Sequence, residues 1–217
     1  MINFLKAELA EIRLFFKNYG RETIILVSAT LFISLNRYHP IRNDWLSTFL
    51  YYGVFPLAVI LLMRKNPLDF GLKPGSPRIW GYYVLIICLA SAVVLFAAAY
   101  MPALQKYYRL GQFKFAPFFL TSCLSLAGSE FMYRGFLLFG LKDKFKEGSI
   151  LLQMVPFVLL HLGKPEVETV STLFTGILFG WVAYRGKSYW PAFFIHLFIN
   201  VFFITLVNYK FHVIPPG

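Results

Sequence analysis

A set of polar side chains interrupts the apolar second half of this sequence at spacings that could do chemistry. Glu130 and Arg134 lie within APFFLTSCLSLAGSEFMYRGFLLFGL, residues 116–141. His161 ends the next apolar run, and Glu166 and Glu168 follow it in HLGKPEVE. His196 and Asn200 share FFIHLFIN. Glu130–Arg134 and His196–Asn200 are i, i+4 pairs, so on a helix each pair shares one face. A carboxylate and an imidazole can hold a water and take its proton. A second imidazole and an amide can donate hydrogen bonds to the oxyanion of a tetrahedral intermediate, and an arginine can orient a carboxylate. Together these residue types can run a hydrolysis. Each has a plainer reading: a buried ion pair, a packing histidine, or hydrogen bonds between membrane helices. Their convergence on consecutive segments favours a shared site.

Other chemistry is open to the same residues. Two histidines and a glutamate can hold zinc, but no His-Glu-x-x-His is present and no cofactor is expected. Ser129 could serve as a nucleophile if a base lay within reach, although a hydroxyl there more often bonds back to its own helix. A proton relay would also use intramembrane carboxylates and histidines, but the two halves show no internal repeat of the kind many carriers have.

The elements that must position these groups are transmembrane helices. The chain has 217 residues, of which 58% are hydrophobic, 19% aromatic and 14% charged, against about 25% charged in a soluble domain. Mean hydropathy is +0.63. The expected fold is all-α, a polytopic bundle of about seven spans in a single domain over residues 21–217, with the site motifs within 116–203. Strands alternating for a membrane barrel are absent from the pattern. The net charge of +11 does not point to nucleic acid, because the basic residues sit between apolar runs as topology signals. Cys88 and Cys123 lie inside apolar runs and read as small buried hydrophobes.

Residues 1–20 place Leu5, Leu9, Ile12, Phe15 and Phe16 on one face, which predicts an amphipathic helix lying in the membrane interface. The spans then follow at about 23–35, 45–63, 80–103, 116–141, 150–162, 167–184 and 189–207, with a short tail after Lys210. The fifth has 13 residues, about 20 Å as a helix, too short to cross. The HLGKPEVE turn is therefore expected below the membrane surface, where irregular backbone is tolerated only when buried or lining a cavity. With the N-terminus inside, the inner segments carry 13 of the 21 Lys and Arg and the outer ones 7. This is the bias of a protein with a cytoplasmic N-terminus, and a bacterial inner membrane is the expected location.

GSEFMYRGFLLFG, PFVLLHLGKPEVE and FFIHLFIN resemble the successive motifs of the CPBP family of CAAX proteases and bacteriocin-processing enzymes, which are intramembrane glutamic proteases. DFGLKPG and GILFGWVAYRGKSYWPAFFIH are similar to it as well. The family pattern is Glu-Glu-x-x-x-Arg, Phe-x-x-x-His and His-x-x-x-Asn or Asp. Glu130 and Arg134 match the second glutamate and the arginine, Phe157 and His161 the second motif, and His196 and Asn200 the third. Ser129 stands where the family has its first glutamate, the water-activating base. The chain resembles a subgroup that pairs Gly/Ser-Glu with a His-x-Gly-Lys-Pro-x-x-Glu turn, met here from His161 to Glu168. The resemblance implies an intramembrane endopeptidase acting on a membrane-anchored peptide. Glu130 and/or Glu168 with His161 would activate water, Arg134 would fix Glu130, and His196 and Asn200 would stabilise the oxyanion. Loss of the first glutamate supports the alternative, a non-catalytic membrane protein of the immunity or scaffolding kind. A proton-linked transporter is the third.

Overall fold

The computed structural model describes residues 1–210, and every regular element among them is helical. The expected tail beyond Lys210 lies outside the described residues. In chain order the helices are α1 (Ile2–Tyr38), α2 (Asp44–Leu62), α3 (Pro77–Ala98), α4 (Pro102–Tyr108), α5 (Phe115–Phe145), α6 (Gly148–Leu159), α7 (Glu166–Gly186) and α8 (Trp190–Lys210). Five of them, α2, α3, α5, α7 and α8, are long and apolar enough to cross a membrane. The chain is a multi-pass membrane protein. α6 is apolar but has only 12 residues, about 18 Å, as its short run predicts.

α5 is the axis of the bundle. From Gly128 to Leu141 every residue is buried, Arg134 included. Its middle turns, Phe131–Leu137, are π-helical, a widened form found most often at functional sites. α2 carries a second π-helical stretch, Leu50–Val54, and crosses α5 at two glycines. A Cβ on Gly128 would lie 2.9 Å from the Phe49 Cα, and Gly53 faces the Gly128 backbone. Small residues permit this approach of two backbones. α6 and α7 pack through Gly176, against Met154 and Phe157. There the Gln153 amide donates to the Ile150 and Gly176 carbonyls at 2.8 and 2.9 Å. α3 has no buried residue and turns Leu85, Ile86, Leu89 and Val93 outward, as a lipid-facing helix does.

Two loops lock together at the end of the bundle that bears the basic segments. Tyr189 N–H donates to the Gly71 carbonyl at 3.0 Å, and Ser76 N–H to that of Gly186 at 2.9 Å. Gly75 has φ +68, and a Cβ there would come 2.1 Å from the Gly186 oxygen, so only glycine fits. The DFGLKPG stretch thus anchors the start of α8, which carries His196 and Asn200.

α1 joins the two segments expected at residues 1–20 and 23–35 without a break. It is one α-helix of 37 residues with no break near residue 20. Gly20 alone does not end a helix, since a single glycine costs only about 1 kcal/mol, and no proline follows until Pro40. From Arg21 onward the helix lies on the bundle. Ile25 and Ala29 are buried, Arg21 pairs with Asp143 at 2.5 Å, and Asn36 accepts from the Ser47 hydroxyl at 2.6 Å. Residues before Asn18 run on past the end of α5.

Candidate active site

Glu130 and Arg134 are both fully buried, and their ion pair spans 3.1 Å. The same Glu130 oxygen, Oε1, lies 2.6 Å from His196 Nδ1. A carboxylate accepts, so Nδ1 carries the proton of this bond. Glu130 Oε2, Arg134 Nε and Arg134 Nη2 have no hydrogen-bond partner among the described residues. The guanidinium stacks instead on aromatic rings, its Cζ 4.1 Å from the Phe157 centroid and 5.2 Å from that of Phe179. This cation–π box occupies the faces that no acceptor reaches.

His161 stands at the turn after α6. Its Nδ1 is 2.8 Å from the Phe157 carbonyl. The carbonyl can only accept, so Nδ1 holds the proton and Nε2 keeps a lone pair in the neutral ring. The His161 carbonyl is itself held by the Thr169 hydroxyl at 2.8 Å. Gly163, at φ +92, reverses the chain, and Pro165 opens α7. Glu168 then falls in the first turn of α7, where a carboxylate complements the helix dipole.

Glu168 is the most elaborately held carboxylate of the turn. The Tyr108 hydroxyl lies 2.6 and 2.5 Å from its two oxygens, and Lys164 Nζ donates to Oε1 at 2.7 Å. Burial first, and then the Glu168 carboxylate, push the Tyr108 phenol well above its ordinary value. It therefore stays a donor. Tyr108 ends the short helix α4, and the Asn208 amide of α8 holds its carbonyl at 3.0 Å.

A cavity of about 210 Å³ joins these groups. His161, Glu168, His196 and Asn200 line it, with Tyr108, Lys164, Thr172 and Phe179. Glu130 and Arg134 are not in its wall. They stand behind His196. A water takes about 30 Å³ in the liquid, so several waters or a peptide bond fit, but a folded substrate does not. His196 lies six residues into α8 and Asn200 one turn further, whereas Glu168 is in the first turn of α7. The cavity therefore runs from mid-bundle toward the end where α4 lies. A larger apolar groove of about 600 Å³, with Phe115, Phe119, Phe198 and Phe202 in its wall, flanks the other side of α8.

The six candidate residues thus form one neighbourhood but divide into two shells, four on the cavity and two behind. Ser129 is buried and is absent from the cavity wall. Among the described residues no three His, Cys, Asp or Glu side chains are grouped to hold a metal ion. Tyr108 and Lys164 are additions. Lys164 was legible as an i, i+4 partner of Glu168. Tyr108 is 60 residues from Glu168 in the chain and carried no local signal.

Residues 111–202 match the family model described as "Type II CAAX prenyl endopeptidase Rce1-like". That segment begins after α4 and includes all six candidate residues. No curated protein and no solved structure matches the chain.

Proposed function

We propose that this chain, whose residues 111–202 belong to the CPBP family through its Rce1-like branch, is an intramembrane endopeptidase cleaving a peptide anchored by an apolar tail. The observation that carries the reading is the meeting of Glu168 and His161 with His196 and Asn200 on one cavity inside the bundle. Glu168 and the free Nε2 of His161 hold a water and take one of its protons. The resulting hydroxide attacks the scissile carbonyl carbon. The oxyanion accepts hydrogen bonds from Asn200 Nδ2 and from Nε2–H of a doubly protonated His196, whose charge Glu130 faces through Nδ1. The proton taken from water then passes to the leaving amine. Arg134 holds Glu130, and Tyr108 and Lys164 hold Glu168. Glu168 takes the place left by Ser129, since Glu130 stands behind the cavity wall.

The test is cleavage by the full chain in liposomes, read by mass spectrometry. One substrate is a farnesylated CAAX peptide and the other an unprenylated peptide ending in a transmembrane helix. Wild type cuts one of them, and Glu168→Gln and His161→Ala do not. Undiminished cleavage by either variant overturns the assignment. Ser129, in place of the family's first glutamate, favours a second reading, a non-catalytic membrane factor. It predicts no cleavage of either peptide, and biological function intact in His161→Ala.

A further inference from the structure

Residues 3–17 of α1 stand clear of the bundle, and every one of them is exposed. Such a segment is expected to be polar on all sides, yet Leu5, Leu9, Ile12, Phe16 and Tyr19 are 53%, 54%, 50%, 55% and 40% exposed. Their spacing is 4, 3, 4, 3. This is the a/d repeat of a coiled coil, with Leu9 and Phe16 at a and Leu5, Ile12 and Tyr19 at d. Thr23 and Thr30, at the next a positions, with Val27 beside them at e, prolong the same face into the bundle, on the side of α1 turned away from the buried Ile25 and Ala29. Up to Phe16 the stripe is free of the protein's own body, and at Tyr19 Lys144 Nζ stands 4.3 Å from the ring centroid.

The flanks of the stripe differ in charge. Glu8 and Glu22 occupy g positions, and Lys6 and Arg13 occupy e positions. In a parallel pair a g residue faces the e residue five positions later on the other helix, which sets Glu8 against Arg13 twice over. In an antiparallel pair g faces g and e faces e, and like charges meet. Two copies inserted in one membrane with the same topology can only present their α1 rods side by side and parallel. The charge pattern matches the one orientation that the bilayer permits.

We propose that the chain is a homodimer held by a parallel coiled coil of α1, its two-fold axis along the membrane normal. The seam is short, but three circumstances suit it. The helix is already nucleated by its packed half, so no new helix must form. Both partners are confined to one plane, which raises their effective concentration. Small and β-branched residues at Thr23, Val27 and Thr30 allow the seam to continue among the lipids. A helix lying in the membrane interface would have to bend away from its packed half. α1 is continuous from Ile2 to Tyr38.

The experiment uses the full chain in liposomes with Cys88→Ala and Cys123→Ala, and single cysteines added along the rod. Leu9→Cys and Phe16→Cys, in the seam, are expected to form oxidative dimers about tenfold faster than Ala7→Cys and Leu14→Cys at the outer f positions. With Leu9→Cys as reporter, Glu8→Lys slows dimer formation about fivefold, and so does Arg13→Glu, because each turns two attractive pairs repulsive. The double reversal restores the rate. The added cysteines and the reversed charges all lie at positions exposed in the single chain, so folding is not at stake when they are compared in the same cysteine-free background. Equal rates at seam and f positions, or no dimer at any of them, overturns the dimer. Failure of the double reversal to restore the rate overturns the parallel register.

Discussion

Replacing Glu130 by glutamine separates two roles that one carboxylate carries. Its charge faces Arg134 at 3.1 Å with neither side chain exposed. At an effective dielectric near 20, charges at that distance attract by about 5 kcal/mol. Breaking a buried pair by removing one partner costs roughly 3–5 kcal/mol. Glu130→Gln leaves the Arg134 guanidinium among Phe157 and Phe179 with no counter-charge. For a chain of this size the loss corresponds to a fall in Tm of roughly 10 °C. The second role is the bond to His196 Nδ1 at 2.6 Å. A neutral glutamine no longer balances the charge of the doubly protonated His196, so the Nε2–H that would face the oxyanion is lost, a change that costs roughly a hundredfold to a thousandfold. The double variant Glu130→Gln/Arg134→Met removes both charges. It is expected to recover most of the Tm, since neutral, apolar replacement of a buried pair is often close to neutral, while cleavage stays lost. Thermal unfolding in detergent and cleavage in liposomes read the two roles separately. Wild-type stability in Glu130→Gln would refute the pairing argument, and full cleavage by the double variant would refute the coupling to His196.

Asn200→Ala is expected to lower kcat roughly a hundredfold with KM little changed, because an oxyanion donor acts mainly in the transition state. Steady-state kinetics on the cleaved peptide would check it. Tyr108→Phe removes a hydroxyl donor from Glu168 and should lower kcat/KM about tenfold. The same change affects alkaline stability. The Tyr108 phenol is raised from its ordinary 10.0, so its contribution is complete below pH 10 and is lost as pH climbs toward the folded value. The fall in Tm between pH 9 and 11 should be shallower in Tyr108→Phe than in wild type. Gly128→Ala drives a Cβ to 2.9 Å from the Phe49 Cα, a backbone that cannot rotate aside, and should cost about 1–3 kcal/mol as a lower Tm.

The class of fold was legible in the chain because membrane insertion is a local matter of run length and hydropathy, readable segment by segment. The short α6, the DFGLKPG loop and the turn from His161 to Glu168 were visible for the same reason. So were the pairs Glu130–Arg134 and Lys164–Glu168, since helical spacing alone places i and i+4 on one face. The continuity of α1 was not legible, because the amphipathic face of residues 1–20 suggested a segment separate from the span that follows. Packing against Asp143 and the bundle decided for one continuous helix. Tertiary structure also decided which carboxylate meets the cavity. Glu130 reaches His196 across 66 positions and Glu168 reaches Tyr108 across 60. No local period encodes contacts of that separation. They follow from how α4, α7 and α8 are set around α5, and that setting comes from glycine crossings and loop clamps whose partners lie far apart in sequence. The sequence by itself determined which residue types could do chemistry. Only the packed bundle sorted them into those that face the cavity and those that stand behind it.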